Sequence, residues 1–201
     1  MTDFDLVFFT GLIASFLLGL LASYLFWFLT AHYWTPRIKF SDELAEYHLP
    51  ESQNFVQCAF QNSGKREIID VEIIVRIGIF GFKGASVWAY HTVKSNASRV
   101  PMLGQTKHRR VRIFDTRTKI QFDDIPSKSL RDELEKAKDL RAILHLGEKA
   151  SIRIHVFGYD AFSGTRKHFK SKPYELNDLR IGTFSDLNVV QNKRFSQNQD
   201  N

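Results

Sequence analysis

The chain has 201 residues, 43% hydrophobic and 25% charged, a balance that fits one folded domain with an appendage and argues against wholesale disorder. Its one cysteine, Cys58, excludes an internal disulfide framework and a zinc site built on several thiolates. The net charge of +6 is unevenly placed, because residues 1–36 contain two acids and no Lys or Arg, which leaves +8 on the other 165 residues.

The first element is an uncharged run from Leu6 to Thr30. As a helix, it covers roughly the 30 Å of bilayer hydrocarbon. A cleaved signal peptide is the alternative, but it would have a basic start, a shorter apolar core and a small-residue cleavage site. This segment instead starts with acids and ends in aromatic residues typical of a membrane interface: Tyr24, Phe26, Trp27, Phe28, Tyr33 and Trp34. We therefore predict a retained transmembrane anchor over residues 1–36, in contact with membrane lipid.

The flanks of this helix predict its orientation. Cations follow it, at Arg37 and Lys39, and none precedes it. The positive-inside rule then places the C-terminal domain in the cytoplasm and the protein in the inner (plasma) membrane, with a single span. A lone cysteine agrees with a reducing compartment.

One face of the helix carries small residues at successive steps of four: Gly11, Ser15, Gly19 and Ser23. Such a face lets two helix backbones approach closely in lipid. Small residues are also common in membrane helices in general. We favour self-association through this face, and hence a homo-oligomer.

After Pro36 the apolar residues change from helical to alternating spacing. Strands are predicted at Arg37–Phe40 and at Phe55–Gln61, the latter with Val56, Cys58 and Phe60 on one side. The clearest strand follows the turn at residues 62–65 and has an apolar residue at every second position: Ile69, Val71, Ile73, Val75, Ile77 and Ile79.

The same alternation predicts further strands at Val87–Val93, Arg110–Phe114, Lys119–Phe122, Ser151–Phe157 and Thr165–Lys172. One internal helix is predicted, in which Ser129 and Asp132 resemble a capping box and the apolar face consists of Leu130, Leu134, Ala137 and Ile143. Residues 191–201 are polar and lack periodicity, and we interpret residues 189–201 as a mobile tail. Many short strands separated by turns indicate an all-β, antiparallel sandwich or barrel over residues 37–188.

Three stretches carry a resemblance to a known family. They are the run from Arg37 to Ser41 directly after a membrane helix, the strand–turn–strand Phe55–Ile79 with Asn62-x-Gly64 and Ile69-Asp70-Val71, and the segment Ile152–Phe184 with Gly158-x-Asp160, Tyr174, Asn177-Asp178-Leu179-Arg180 and Gly182-x-Phe184. Together they resemble the cytoplasmic domain of inward-rectifier potassium channels over most of residues 37–188.

The resemblance implies an immunoglobulin-like antiparallel β-sandwich that forms a ring below the membrane. It also implies that the loop containing Gly158, Asp160 and Gly164 lines an axial passage and acts as a gate. The chain departs from the family in having one membrane helix and no Gly-Tyr-Gly filter. A selective potassium pore made by this chain alone is therefore not expected.

Patterns typical of catalysis are missing from the sequence. The seven histidines show no metal-ligand spacing, and neither a Gly-rich phosphate loop nor a nucleophile elbow is present. Adjacent acids such as Asp123 and Asp124 point to opposite faces of a strand, which suits acid–base catalysis poorly. We predict no enzyme, no metal site and no cofactor.

Two basic clusters are candidates for anion binding. The first is Lys107, Arg109, Arg110 and Arg112, and the second, on one face of a strand, is Arg166, His168, Lys170 and Lys172. Such rows can bind phosphates of a nucleotide-like or other anionic small ligand. The alternative is an edge strand kept soluble by its cations. Nucleic acid is not expected as a partner, because no aromatic residues are interleaved with the cations.

These predictions combine into a self-associating, single-pass membrane protein whose β-rich domain senses a ligand and signals through the helix. One concrete version is a bacterial defence effector that perturbs the membrane when a phosphate-rich small ligand binds. The alternative is a non-enzymatic membrane scaffold or accessory subunit. An unselective pore is a third hypothesis, which the apolar helix disfavours.

Overall fold

The computed structural model describes residues 3–49, 53–93, 98–115, 128–137 and 139–190. The chain divides into two compact units, residues 1–35 and 36–201. The predicted strand Lys119–Phe122 lies outside the described residues, as does the predicted tail from residue 191 onward. The first two residues of the predicted tail, 189 and 190, belong instead to a strand, Asn188–Val190.

The first unit is a continuous helix. Helix α1 (Asp3–Phe28) runs into a π-helical turn, Leu29–Tyr33. Residues Val7–Tyr33 are long and apolar enough to cross a membrane, since 27 residues rise about 40 Å. The large apolar side chains are exposed all round this helix, which is the surface that a lipid-embedded helix presents. The predicted helix and its capacity to span a bilayer are confirmed.

The second unit is built mainly from strands. In chain order they are β1 (Ile38–Phe40), β2 (Leu44–Leu49), β3 (Gln53–Asn62), β4 (Ile68–Phe80), β5 (Trp88–Val93), β6 (Arg99–Leu103), β7 (His108–Asp115), β8 (Lys149–Asp160), β9 (Arg166–Lys170), β10 (Leu179–Ile181), β11 (Thr183–Ser185) and β12 (Asn188–Val190). Two short helices, α2 (Lys128–Lys136) and α3 (Leu140–Leu144), precede β8. The predicted predominance of β-strands in this unit is therefore confirmed.

Two five-stranded sheets organise these strands. In the first, β7 pairs with one edge of β3 while β1 and β2 pair with the other, and β10 joins β2 in parallel, so that this sheet is mixed. In the second, which we call the β4 sheet, β8 pairs along one edge of β4, β5 and β6 pair along the other, and β9 pairs with β8. Strands β11 and β12 form a separate hairpin.

One apolar core is shared by both sheets and both short helices. Phe60 of β3, Val75 of β4 and Ile154 of β8 are fully buried in it, together with Ile143 of α3. Tyr174 is also fully buried, and its hydroxyl donates a 2.6 Å hydrogen bond to the carbonyl oxygen of Ser41. This bond satisfies the only polar atom that the tyrosine side chain brings into the core.

The predicted alternation along β4 is correct from Val71 to Ile79 and wrong at Ile69. Asp70 has a left-handed backbone, with φ of 49°, and the pairing with β8 shifts between Ile69 and Glu72. This bulge reverses the side-chain alternation, because one extra residue moves the preceding positions to the opposite face. As a result Ile68 is buried and Ile69 is 39% exposed.

The single predicted internal helix is wrong, because the structure has two helices in its place. The backbone of Asp139 is extended, and its carboxylate accepts a 2.7 Å hydrogen bond from the N–H of Ala142 as the N-cap of α3. An N-cap residue takes non-helical angles, so it separates α3 from α2. Ser129, the predicted cap, lies inside α2. The predicted apolar face is nevertheless buried at Leu130, Leu134 and Ile143.

Candidate anion-binding site

A cleft of about 310 Å³ opens on the outward face of the β4 sheet, the face opposite the core. We call it the cationic cleft. Its lining residues come from β4, β5 and β8, and they are Arg76, Gly78, Trp88, Tyr90, Ser151, Arg153 and His155. The volume lies at the lower end of the range for small-molecule sites, about 300–1,000 Å³.

Two arginines lie directly opposite each other in this cleft. Arg76 of β4 pairs in register with Arg153 of β8, so both guanidinium groups are carried on the same face. In the part of the chain that the structure describes, no carboxylate lies within 4 Å of either group. Like charges directly opposite in a sheet destabilise it, and a bound anion would remove that repulsion.

Two aromatic rings form the adjoining wall of the cleft. Trp88 and Tyr90 of β5 are nearly parallel, at 15°, with ring centroids 5.9 Å apart. They lie over Gly78 of β4, where a Cβ atom would stand 2.9 Å from Cε1 of Tyr90 and 3.2 Å from Cε3 of Trp88. Glycine at this position therefore provides the space in which both rings pack against the sheet.

A stack of rings continues the surface toward β9. His168 lies 4.3 Å from the Phe157 ring at an angle of 6°, and its Nε2 is 2.9 Å from Nδ1 of His155. One of these two nitrogens donates a hydrogen bond to the other. The pKa of His155 is lowered from its usual value first by burial, then by the neighbouring His168, and then by the cations Arg76, Arg153 and Lys170. A neutral His155 can then offer a hydrogen bond in the cleft without adding to its charge.

The second predicted cluster lies at the edge of this surface, on β9 and just after it. Arg166 is 3.5 Å from the carboxylate of Glu72, and Lys172 is 2.7 Å from that of Asp178. Lys170 pairs in register with His155, and His168 takes part in the ring stack. The structure thus brings Lys170 and His168 beside the cleft, whereas Arg166 and Lys172 are each neutralised by an acid.

The first predicted cluster belongs to the other sheet. Lys107 and Arg109 line a separate cleft of about 590 Å³ that also contains the carboxylate of Glu67. Arg110 pairs in register with Ala59 of β3, and Arg112 belongs to β7 although its side chain lies outside the described part. The first cluster is carried by β7 and the residue before it, and the second by β9 and the residues just after it. Because β7 and β9 belong to different sheets, the two clusters do not form one site.

The predicted gate loop is shorter than the sequence indicates. Gly158 and Asp160 belong to strand β8, so that of the three predicted residues only Gly164 lies in the loop. Gly158 packs against Ile68. The carboxylate of Asp160 is buried and pairs with Arg66 at 3.2 Å. Burial opposes its ionisation, but the N–H of Phe162 and the Arg66 guanidinium outweigh burial and lower the pKa of Asp160. These contacts hold the loop to the sheet.

The predicted helix-association residues share an open face of α1. Apart from the adjacent residues and the backbone of the helix itself, no atom lies within 4 Å of where a Cβ would be placed on Gly11 or Gly19. The hydroxyl of Ser15 donates a 2.8 Å hydrogen bond to the carbonyl oxygen of Gly11. Ser23 lies four residues beyond Gly19 in the same helix.

The residues that define the cationic cleft were missed by sequence reasoning. Arg76 reads as an ordinary outward residue of an alternating strand, and Arg153 lies 77 positions later in the chain. The sequence signal that could have indicated the cleft is an outward-facing cation on each of two strands that pair with each other. Aromatic residues do lie beside Arg76, but on the neighbouring strand β5. The absence of aromatic residues interleaved in sequence with the cations is therefore not a reason against a nucleic acid or nucleotide ligand. Among the described residues, no three His, Cys, Asp or Glu side chains are grouped as a metal ion requires.

Comparison with known proteins does not add an identity to this geometry. No protein-family model matches the chain, and no curated protein matches it. The cationic cleft and the apolar helix are therefore the features that indicate a function.

Proposed function

We propose that this protein is a membrane-anchored receptor for a phosphate-bearing small ligand, and that the ligand binds in the cationic cleft. The observation that carries the proposal is the register pair Arg76–Arg153, which has no carboxylate partner in the described residues. A phosphate group accepts hydrogen bonds from guanidinium groups in a planar, bidentate arrangement. Ser151 and His155 line the same cleft and add further hydrogen-bonding groups.

The apolar helix is the membrane anchor in this proposal, and the β-rich unit lies in the cytoplasm. Arg37 and Lys39, directly after the helix, support this orientation through the positive-inside rule. Only residues 34–37 separate the end of the helical turn from the start of β1.

Self-association belongs to the same proposal. The open face at Gly11 and Gly19 supports close packing of two copies of the helix. Ligand binding would then change the arrangement of the copies and perturb the membrane, as in a bacterial defence effector. No step in this mechanism requires catalysis by the chain.

We also propose that the β-rich unit is an immunoglobulin-like sandwich that resembles the cytoplasmic domain of inward-rectifier potassium channels. Two five-stranded sheets with a common core support an immunoglobulin-like sandwich of the kind found in the cytoplasmic domain of inward-rectifier channels. The parallel pair β2–β10 is a departure from a purely antiparallel sandwich.

The ligand test is thermal unfolding of the full chain in lipid nanodiscs with and without tripolyphosphate. Binding to the folded state raises the melting temperature in a concentration-dependent way. We expect a rise for the natural chain and none for the double variant Arg76→Gln, Arg153→Gln. The matched control is Arg131→Gln, which removes an exposed arginine from α2 and should keep the response. A natural chain that does not respond to tripolyphosphate, or a double variant that responds equally, contradicts the proposal.

A membrane scaffold is the second candidate, and one observation favours it. The bulge in β4 places Ile69 in register with both Met102 and Tyr159 on the outward face, and all three are between 38% and 49% exposed. Exposed apolar rows of this kind are typical of protein contacts. A scaffold predicts that Gly19→Leu abolishes capture of a membrane partner without altering the response to tripolyphosphate.

A further inference from the structure

We propose that the ligand of the cationic cleft is a mononucleotide, whose base stacks on Trp88 and Tyr90 while its phosphates bind Arg76 and Arg153. This inference rests on the proposed function, since it assigns the part of the ligand that is not phosphate. The carrying observation is that one cleft is lined by two half-exposed aromatic rings and by two arginines that lack an acidic partner in the described residues.

The aromatic wall has the properties of a stacking surface. Trp88 is 42% exposed and Tyr90 is 54% exposed, so neither ring is used to fill the core. The rings are nearly parallel, and they can lie against the sheet because Gly78 has no side chain to displace them. Every nucleobase has a flat face that can stack on such rings.

The distance between the aromatic rings and the arginine pair suits a nucleotide. Gly78 pairs in register with Tyr90 on one side and with Ser151 on the other. Arg76 and Arg153 are each two residues further along the same strands, which corresponds to about 7 Å. This separation lets one ribose connect a base on the aromatic wall to a phosphate between the arginines.

The surroundings favour a single nucleotide over a nucleic acid strand. A strand needs a track of free cations to follow its backbone. Beyond the cleft, Arg166 is neutralised by Glu72 and Lys172 by Asp178. Among the described cations of this face, Arg76, Arg153 and Lys170 lack an acidic partner, as does Lys149, four residues before Arg153 on β8. This short cluster is the positive charge that the surface offers to an anionic ligand.

The test compares ATP, tripolyphosphate and adenosine by calorimetric titration of the full chain in zwitterionic nanodiscs. We expect ATP to bind about tenfold or more tightly than tripolyphosphate, the gain typical of one stacked base, and adenosine to bind weakly. Trp88→Ala should lower the affinity for ATP about tenfold and leave the affinity for tripolyphosphate unchanged. Arg76→Gln with Arg153→Gln should lower both affinities.

Two further variants keep the test decisive. Phe162→Ala removes another exposed aromatic ring, 69% exposed on the loop after β8, and should leave the binding of ATP unchanged. Gly78→Ala leaves both rings in the chain but displaces them from the sheet, and should weaken ATP as Trp88→Ala does. Circular dichroism of each variant establishes that it is folded.

The outcomes separate this inference from the proposed function. Equal affinities for ATP and tripolyphosphate, with no effect of Trp88→Ala, would overturn the nucleotide assignment and leave the phosphate receptor standing. Binding of oligonucleotides in the absence of any binding of ATP would also overturn it. Failure of every phosphate compound to bind would remove the proposed function, and the nucleotide assignment with it.

Discussion

The two ends of strand β8 carry ionic groups in opposite arrangements. At the end near Asp160, a buried carboxylate has an arginine at 3.2 Å and a backbone N–H at 3.0 Å. Nearer the other end, Arg153 faces Arg76 in register, with no acid beside either of them among the described residues. The first arrangement satisfies its charges within the fold, whereas the second leaves charges that a ligand can satisfy.

This difference indicates which charged residues serve stability and which serve binding. A buried charge that loses its partner is strongly destabilising, so Asp160 and Arg66 belong to the structure of the loop. A repelling pair at the surface lowers stability by a small amount, and it gains a partner only when an anion arrives. Substitutions at the two ends should therefore change the free energy of unfolding in opposite directions.

The largest change in stability is expected at the end of β8 near Asp160, where the charges are paired within the fold. Asp160→Ala should lower the free energy of unfolding by about 3 kcal/mol, because it leaves the guanidinium of Arg66 without its partner. Chemical denaturation measures the change. The control is Asp178→Asn, which breaks an exposed pair with Lys172 and should cost less than about 1 kcal/mol. Equal losses in the two variants would contradict the distinction.

A smaller loss is expected in the uncharged polar network of the core. Tyr174→Phe removes the donor to the Ser41 carbonyl and should cost about 1–2 kcal/mol, the usual effect of a buried acceptor left without its bond. Burial raises the pKa of Cys58 to about 12, and burial also raises the pKa of Tyr174. Both groups stay protonated near neutrality, so the loss should be the same at pH 6 and pH 8. A loss that changes between these two pH values would contradict this account.

At the cationic cleft, a substitution should change the free energy of unfolding in the opposite direction. Arg153→Gln should raise the free energy of unfolding by about 0.5 kcal/mol, because it removes the repulsion from Arg76. High salt should reduce this gain by screening. Arg131→Gln, which removes an arginine with an acidic partner, should not stabilise the chain. A loss of stability in Arg153→Gln would break the comparison.

The smallest effect is a dependence on pH that His155 contributes. Because the pKa of His155 is lowered in the folded state, the unfolded chain binds more protons below its ordinary value of 6.5. Stability should therefore fall as the pH drops through this range. Asp160, whose pKa is also lowered, adds a further loss closer to pH 4.

His155→Gln should remove the first of these two losses and keep the second. Thermal unfolding from pH 8 to pH 3 measures both losses. The two profiles should be parallel above about pH 7.5 and diverge below it. Parallel profiles over the whole range would contradict the contribution of His155.

Local periodicity predicts much of the fold. The alternation from Val71 to Ile79 gives the inward face of β4 correctly, and the apolar run after Asp5 gives the helix. The predictions are wrong where one residue changes the local geometry. The left-handed Asp70 exposes Ile69, and the extended Asp139 divides one predicted helix into two.

Solvent exposure along a single strand is also altered by elements distant in the chain. Ala59 lies between Cys58 and Phe60 in β3, so alternation predicts that it faces away from their side, yet it is fully buried against Phe184 of β11. Its neighbour in register, Arg110, belongs to a strand some fifty residues later. The contact between Ala59 and Phe184 cannot be predicted from the pattern of residues 53–62 alone.

The sequence by itself determined the apolar helix, the β-rich character of residues 36–190 and the excess of positive charge, since these depend on the types and spacing of residues close together in the chain. Only the tertiary structure decided which cations are neutralised and which are free. Strand pairing sets Arg166 beside Glu72, and it sets Arg76 beside Arg153 and the rings of Trp88 and Tyr90. These neighbours are between 12 and 94 positions apart in the chain. Their proximity follows from sheet register, which is a property of the whole domain.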